Sequence, residues 1–173
     1  MRSHFHSLRK LFLLIPLLTV GIGAVNGQMK RPVKWQFAVE PVSESEVLFK
    51  AVATIDAPWH IYSQYMDQGG PLPTSFKFNA SDSYTLTGKI EEDGKVEKAY
   101  EETFMVNVAW YDNRVTFFQK IVLHSSAVRI DGSVEFMACT KSECLLPETV
   151  IFNVEASVSK PLPKKRKDVE KVQ

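Results

Sequence analysis

The stretch EVLFKAVATI, residues 46–55, sets the pattern for most of the chain. It places apolar side chains at every second position of one face: Val47, Phe49, Ala51, Ala53 and Ile55. Successive side chains of a β-strand point to opposite faces of a sheet, so this alternation predicts a strand with one buried face.

The same two-residue period recurs along the chain. The apolar faces are Trp35, Phe37 and Val39; Phe76 and Phe78; Tyr84, Leu86 and Ile90; Val115, Phe117, Ile121 and Leu123; and Val150, Phe152, Val154 and Ala156. We expect residues 127–138 to form two short strands around an Asp131-Gly132 turn, a common hairpin signal. Residues 63–75, with Gly69-Gly70 and two prolines, predict a long ordered loop.

About nine short strands and no sustained helical period predict an all-β fold, an antiparallel β-sandwich, with an open barrel as the alternative. The chain has 173 residues, enough for one such domain, which we place at residues 28–158. Twelve Lys and Arg residues there face 18 Asp and Glu residues. This net charge of about −6 argues against a nucleic-acid-binding function, because phosphate recognition needs a basic face.

Both ends of the chain have their own composition. Residues 1–27 combine a basic start, an apolar run and small residues, which predicts a secretory signal peptide cleaved near Gly27 and therefore an exported protein, which the family resemblance described below would place in the periplasm. A membrane anchor is disfavoured because Pro16 interrupts a run shorter than the ~20 residues needed to span a bilayer. Residues 159–173 are basic and proline-containing, and we expect a disordered tail there.

Cys139 and Cys144, within EFMACTKSECLLPETVIFNV (135–154), are the only two cysteines in the chain. Export favours a disulfide. A staple over so short a loop contributes only ~2 kcal/mol in the chain-entropy model, whereas close spacing suits a dithiol that opens and closes in place. Spacing alone leaves the staple and the redox pair equally open. A structural zinc site is disfavoured, because it needs four ligands and only two cysteines are present. Copper is a separate alternative, since Met137 could add a soft ligand for Cu(I).

Four stretches, in order, resemble the N-terminal periplasmic domain of the thiol:disulfide interchange protein DsbD. They are DAPWHIYSQ (56–64), GGPLPTSFKF (69–78), YEETFMVNVAWYDNRVTFFQKI (100–121) and VEFMACTKSECLLPETVIFNV (134–154). The chain departs from that family in three ways. It has one residue fewer between its cysteines than the enterobacterial members, Leu146 where a proline often stands, and Glu102-Thr103 where an acidic pair directly precedes the phenylalanine that here is Phe104.

The resemblance implies an immunoglobulin-like sandwich that performs thiol-disulfide exchange without a cofactor or metal. Cys144 would attack a client disulfide and Cys139 would resolve the mixed disulfide. Phe104, with Glu102 and Thr103, would form a cap that shields the sulfurs, and His60 and Tyr62 would lie against them. The residues themselves leave a plainer reading for two of these positions. Phe104 could be a core residue of a strand with Val106 and Val108, and His60 a hydrogen-bonded strand residue.

The implied partners are proteins. Electrons would come from a thioredoxin-like protein fed by a membrane hub, both on separate chains, and pass to oxidised periplasmic clients such as disulfide isomerases or cytochrome c maturation factors. The alternative function is a non-catalytic, exported β-sandwich binding module with a structural disulfide.

Overall fold

The computed structural model describes residues 30–164, which form eleven strands and no helix. The strands are β1 (Val33–Pro41), β2 (Glu46–Ile55), β3 (His60–Tyr62), β4 (Ser75–Phe78), β5 (Tyr84–Asp93), β6 (Val96–Glu101), β7 (Val106–Asp112), β8 (Arg114–Leu123), β9 (Ala127–Phe136), β10 (Ala138–Cys139) and β11 (Glu148–Ser157). The predicted signal peptide lies outside the described residues. Within residues 30–164, the search for a helix long and apolar enough to cross a membrane finds none.

The strands pair in three sheets, and every pairing is antiparallel. The first sheet has the order β1-β2-β8-β5, the second β10-β3-β7-β6 and the third β11-β9-β4. Each sheet has two edge strands, so the predicted sandwich is confirmed and the open barrel is not observed. The third sheet leads directly into the second, because β9 and β10 are separated only by Met137.

An aromatic core joins the first sheet to the third. The ring of Trp35 on β1 lies 6.0 Å from that of Phe76 and 5.4 Å from that of Phe136. The ring of Phe49 on β2 lies 4.8 Å from that of Phe152 on β11. Such contacts bury large apolar surfaces and favour tilted or edge-to-face geometries. The predicted faces of β1, β2, β4, β8 and β11 are therefore confirmed.

The Asp131-Gly132 hairpin is wrong. Residues 127–136 form one uninterrupted strand, β9, which pairs on one side with β11 and on the other with β4. A Cβ atom at Gly132 would overlap the Lys77 carbonyl oxygen and the Phe152 ring, so glycine serves close packing here and not a turn. The Asp131 carboxylate accepts a hydrogen bond from Asn153 Nδ2 at 2.6 Å, which ties it to the neighbouring strand.

The predicted loop between Tyr62 and Ser75 is confirmed and lies against the second sheet. The Asp67 carboxylate accepts hydrogen bonds from the backbone and the side-chain nitrogen of Asn107 on β7, at 3.2 and 3.0 Å. Gly70 lies so close to Val106 that a Cβ atom there would be 3.0 Å from its side chain. The loop therefore packs beside the strands that flank the cysteines.

Hydrogen bonds continue past the predicted domain boundary at residue 158. The backbone N–H of Lys160 donates to the Glu44 carbonyl at 2.8 Å, and that of Leu162 to the Leu123 carbonyl at 2.9 Å. His124 Nδ1 lies 2.7 Å from the Leu162 carbonyl oxygen. The first residues of the predicted tail thus run along the domain, and residues 165–173 lie outside the described part of the chain.

Candidate functional site

The two cysteines are joined across a tight hairpin. Cys139 ends β10, Cys144 forms an isolated antiparallel bridge with it, and their sulfur atoms are 2.04 Å apart. Their Cα atoms are 4.0 Å apart. In antiparallel pairing, residues at non-hydrogen-bonded positions have the closest backbones, with Cα atoms about 4.5 Å apart. The pair occupies such a position, so its closeness is a property of the strand pairing.

Backbone hydrogen bonds hold this hairpin on both sides of the disulfide. The N–H of Leu145 donates to the Ala138 carbonyl at 2.9 Å, and the N–H of Thr140 to the Glu143 carbonyl at 2.7 Å. The Thr140 hydroxyl oxygen also accepts the N–H groups of Ser142 and Glu143, at 3.2 and 3.1 Å. Because none of these bonds involves sulfur, we expect the two thiols to stay close after reduction.

The two sulfurs have different access to solvent. Cys139 is fully buried, with 0% exposure, in a small apolar cluster with Tyr62 and Val108. Met66, Val106, Trp110 and Met137 pack against that cluster. Cys144 is exposed on the rim of the hairpin. A visiting protein can therefore reach Cys144, whereas Cys139 is accessible only to its own neighbours.

His60 and Tyr62 lie on the same face as Cys139. Cys139 pairs directly with His60 across β10 and β3, and Tyr62 is two residues further along β3. His60 Nε2 and the Tyr62 hydroxyl oxygen are 3.3 Å apart, and the imidazole packs against the Trp110 ring, with centroids 5.6 Å apart. The structure thus brings these predicted site residues together with the buried sulfur.

Burial shifts both side chains toward their neutral forms. Desolvation lowers the pKa of His60 below 6.5, although the nearby Asp112 carboxylate acts in the opposite direction. Desolvation, and then the negative charge of Glu101, raise the pKa of Tyr62 above 10. At neutral pH, His60 is therefore available to accept a proton.

A hydrogen-bond network around Glu92 fixes the chain just after Tyr62, and sequence reasoning did not find it. Glu92 on β5 accepts hydrogen bonds from the Ser63 hydroxyl at 2.6 Å, the Gln64 backbone N–H at 2.8 Å and the Tyr111 hydroxyl at 2.8 Å. The network links the first sheet to β7 and to the loop beside the site. No local pattern reveals it, because its members come from three separate parts of the chain.

The predicted cap residues lie in the turn that joins β6 to β7. Glu102, Thr103 and Phe104 are all exposed there, and Phe104 is 45% exposed. The interpretation of Phe104 as a core residue on a strand is therefore wrong, since the strand begins only at Val106. The three residues are not part of the buried cluster around Cys139. Glu101, at the base of the turn, is the residue whose charge reaches the Tyr62 phenol.

Within residues 30–164, there is no group of three or more His, Cys, Asp or Glu side chains that could hold a metal ion. The two cysteines are bonded to each other. A disulfide of this kind can be opened and closed by thiol-disulfide exchange.

No protein-family model matches the chain, and no curated protein sequence matches it either. Solved structures do match. The N-terminal periplasmic domain of ScsB from Proteus mirabilis aligns with a TM-score of 0.52 and 12% identity, covering 76% of this chain and 49% of that one. The DsbD N-terminal domain of Neisseria meningitidis, in the reduced form, aligns with a TM-score of 0.48 and 14% identity, covering 71% and 86%.

A yeast GGA1 GAE domain also aligns, with a TM-score of 0.42 and 8% identity, over 73% of this chain and 94% of that one. This chain spans about half the length of the ScsB structure that it matches. At these identities the likeness concerns the fold alone. It confirms the immunoglobulin-like sandwich at the level of architecture.

Proposed function

We propose that this protein is a periplasmic thiol-disulfide oxidoreductase that relays electrons through Cys139 and Cys144. The observation that carries the proposal is the pairing of an exposed cysteine with a fully buried one across a hairpin held by backbone hydrogen bonds. A staple needs no such asymmetry, whereas thiol-disulfide exchange requires one sulfur that meets the partner and a second that closes the ring. The fold shared with ScsB and the four DsbD-like stretches support the same function.

The exchange follows from the exposures. In the dithiol form, the Cys144 thiolate attacks a client disulfide, forming a mixed disulfide and releasing one client sulfur as a thiolate. The Cys139 sulfur then attacks Cys144 Sγ, which forms the intramolecular disulfide and releases the second client sulfur. Two electrons pass from the protein to the client. A donor dithiol reverses both steps to restore the reduced pair.

We infer that the donor is a thioredoxin-like protein supplied by a membrane electron-transfer hub. The clients would be oxidised periplasmic proteins, among them disulfide isomerases and cytochrome c maturation factors. Export through a signal peptide cleaved near Gly27 would place the domain in that compartment. The identification of these partners is based on the sequence resemblance. Each of them would react with the sulfur of the exposed residue Cys144.

We also propose that Phe104, with Glu102 and Thr103, shields the sulfur pair from small oxidants. The support is indirect: the turn is anchored beside Glu101, which is close enough to the Tyr62 phenol to raise its pKa. Because Phe104 is 45% exposed and outside the buried cluster around Cys139, we expect only a modest contribution to shielding. Phe104→Ala should accelerate oxidation of the dithiol by a small-molecule disulfide severalfold.

Trapping tests the relay directly. In the Cys139→Ala variant, Cys144 can attack a client but nothing resolves the mixed disulfide, so exported clients should accumulate as covalent complexes identifiable by mass spectrometry. Cys144→Ala is the matched control and should trap nothing, because the remaining sulfur is buried. A redox titration against glutathione provides the second check. A midpoint potential below roughly −300 mV, typical of structural disulfides, would instead favour a binding module with a permanent disulfide.

A further inference from the structure

Resting on the proposed function, we propose that His60 is the proton acceptor for the Cys139 thiol when that residue closes the disulfide. Cys139 and His60 are direct cross-strand partners. Cβ atoms of such partners lie about 4.5–5.5 Å apart on the same face of the sheet. A side-chain imidazole and a side-chain sulfur therefore fall within reach of each other.

The burial of Cys139 creates the need for a base. The thiolate is the nucleophile in exchange, and a thiol in apolar surroundings ionises reluctantly. Cys139 is fully buried beside Tyr62 and Val108, so solvent hydroxide does not readily take its proton. Cys144 has no such need, because it is exposed. Cys139 therefore needs a neighbouring base to accept its proton, whereas Cys144 does not.

The surroundings of His60 suit this role. The Tyr62 hydroxyl contacts Nε2 at 3.3 Å, and we assign the exchange with Cys139 to Nδ1. The imidazole packs against the Trp110 ring. Burial lowers the pKa of His60, so the ring is neutral near pH 7 and has a free nitrogen that can accept a proton. The titratable group that contacts His60 is Tyr62, and the charge that acts on His60 is that of Asp112, its cross-strand partner on β7. Glu101 acts in turn on Tyr62.

The proposed step balances. The Cys139 S–H gives its proton to His60, and its sulfur attacks Cys144 Sγ in the mixed disulfide. The Cys139–Cys144 bond forms as the bond from Cys144 to the client sulfur breaks, and the client sulfur leaves as a thiolate. The imidazolium then returns its proton to that thiolate or to water. In the reverse direction, the same imidazolium would protonate Cys139 as it leaves.

A stopped-flow experiment with 5,5′-dithiobis(2-nitrobenzoate) separates the two sulfurs without any partner protein. Attack by Cys144 releases one nitrothiobenzoate anion, and closure by Cys139 releases the second. In His60→Gln, we expect the first phase to be unchanged and the second to slow by about a hundredfold at pH 7, at the lower end of the range of general-base effects. His124→Gln is the matched control: His124 contacts Thr85 and the Leu162 carbonyl, away from the cysteines.

The pH profile distinguishes a base from a packing residue. The wild-type second phase should rise with pH to an inflection below pH 6.5 and then level off, and this inflection should vanish in His60→Gln and in His60→Tyr, which keeps an aromatic ring. Equal second phases in wild type and His60→Gln from pH 5 to 9 would overturn the proposal. If neither variant folds, the wild-type profile decides, and a second phase that rises tenfold per pH unit throughout that range also overturns it.

This result can be read independently of the relay. The assay begins with chemically reduced protein and a small disulfide, so it reports on His60 even if no client is trapped and the midpoint potential proves very low. Conversely, a client trapped by Cys139→Ala would support the relay even if His60→Gln closes its disulfide at the normal rate.

Discussion

Reduction of the Cys139–Cys144 disulfide should leave the domain folded and only slightly less stable. The cysteines are separated by five positions in sequence. For a loop this short, the chain-entropy model gives about 2 kcal/mol. The hairpin hydrogen bonds and the aromatic core between the first and third sheets do not depend on the bond. A pair that cycles between two redox states needs this tolerance, because both states must present the same surface.

Urea unfolding of the oxidised and the phosphine-reduced protein measures this difference. With a denaturant slope of about 2 kcal/mol per molar, the expected loss shifts the midpoint by about 1 M. Cys144→Ala is the control, because this exposed residue contributes little packing and its removal prevents the bond. Its stability should match that of the reduced wild type and should not respond to the reductant. A loss above about 4 kcal/mol, or unfolding on reduction, would identify a structural staple and refute the reasoning.

Three further predictions concern single side chains. Gly132→Ala should destabilise the domain by about 2–3 kcal/mol in thermal or urea unfolding, because the added methyl overlaps the Lys77 carbonyl and the Phe152 ring. Gly88→Asn should cost less, about 1 kcal/mol, because no atom lies near the added side chain and the strain of a φ of 73° is smallest for asparagine. Glu92→Gln should cost about 1–3 kcal/mol, since the amide cannot accept all the hydrogen bonds from Ser63, Gln64 and Tyr111, and an unchanged urea midpoint would contradict the network. Burial and the Glu92 carboxylate raise the pKa of Tyr111 above 10. The contribution of this phenol to the free energy of unfolding is therefore fully present below pH 10 and is lost as the pH rises further. The loss of stability above pH 10 should be smaller in Tyr111→Phe than in wild type.

The lowered pKa of His60 predicts a loss of stability at acid pH. Its folded value lies below 6.5 because burial disfavours the charged ring, so the associated stability is present above pH 6.5 and is lost as the pH falls through the folded value. Urea midpoints measured between pH 7 and pH 5 should therefore decline less in His60→Gln than in wild type. Equal declines in both proteins would show that His60 titrates as it does in the unfolded chain.

Local patterns predicted most of the sandwich, because the two-residue period reports directly which face of a strand is buried. The same reasoning failed at Asp131-Gly132, where the deciding facts are the Lys77 carbonyl and the Phe152 ring on the two neighbouring strands. Strand β6 escaped the pattern for a related reason. It is an edge strand whose side chains are mostly exposed, so its sequence carries no apolar alternation.

The candidate site likewise has features that local sequence predicts and features that only tertiary packing determines. The cysteine pair is a local feature, visible from its spacing, and the resemblance predicted His60 and Tyr62 beside it. The exposure of each sulfur is not local, because it depends on the packing of Tyr62 and Val108 over Cys139. The network that holds Ser63 through Glu92 is likewise set by the pairing of distant strands. The sequence therefore predicts a pair of cysteines suited to disulfide exchange, and the tertiary structure determines which of the two is exposed and which is buried.

The difference in exposure between Cys139 and Cys144 follows from the order of the strands. β10 is an edge strand, and its only partner within the second sheet is β3, so the outer side of Cys139 is open to the short segment that carries Cys144. On the inner side, β3 supplies His60 and then Tyr62 on the same face. An edge position makes one sulfur reachable, while the neighbouring strand provides the burial and the base for the other. If the pair lay on a central strand, both sulfurs would be buried and no partner could reach either of them.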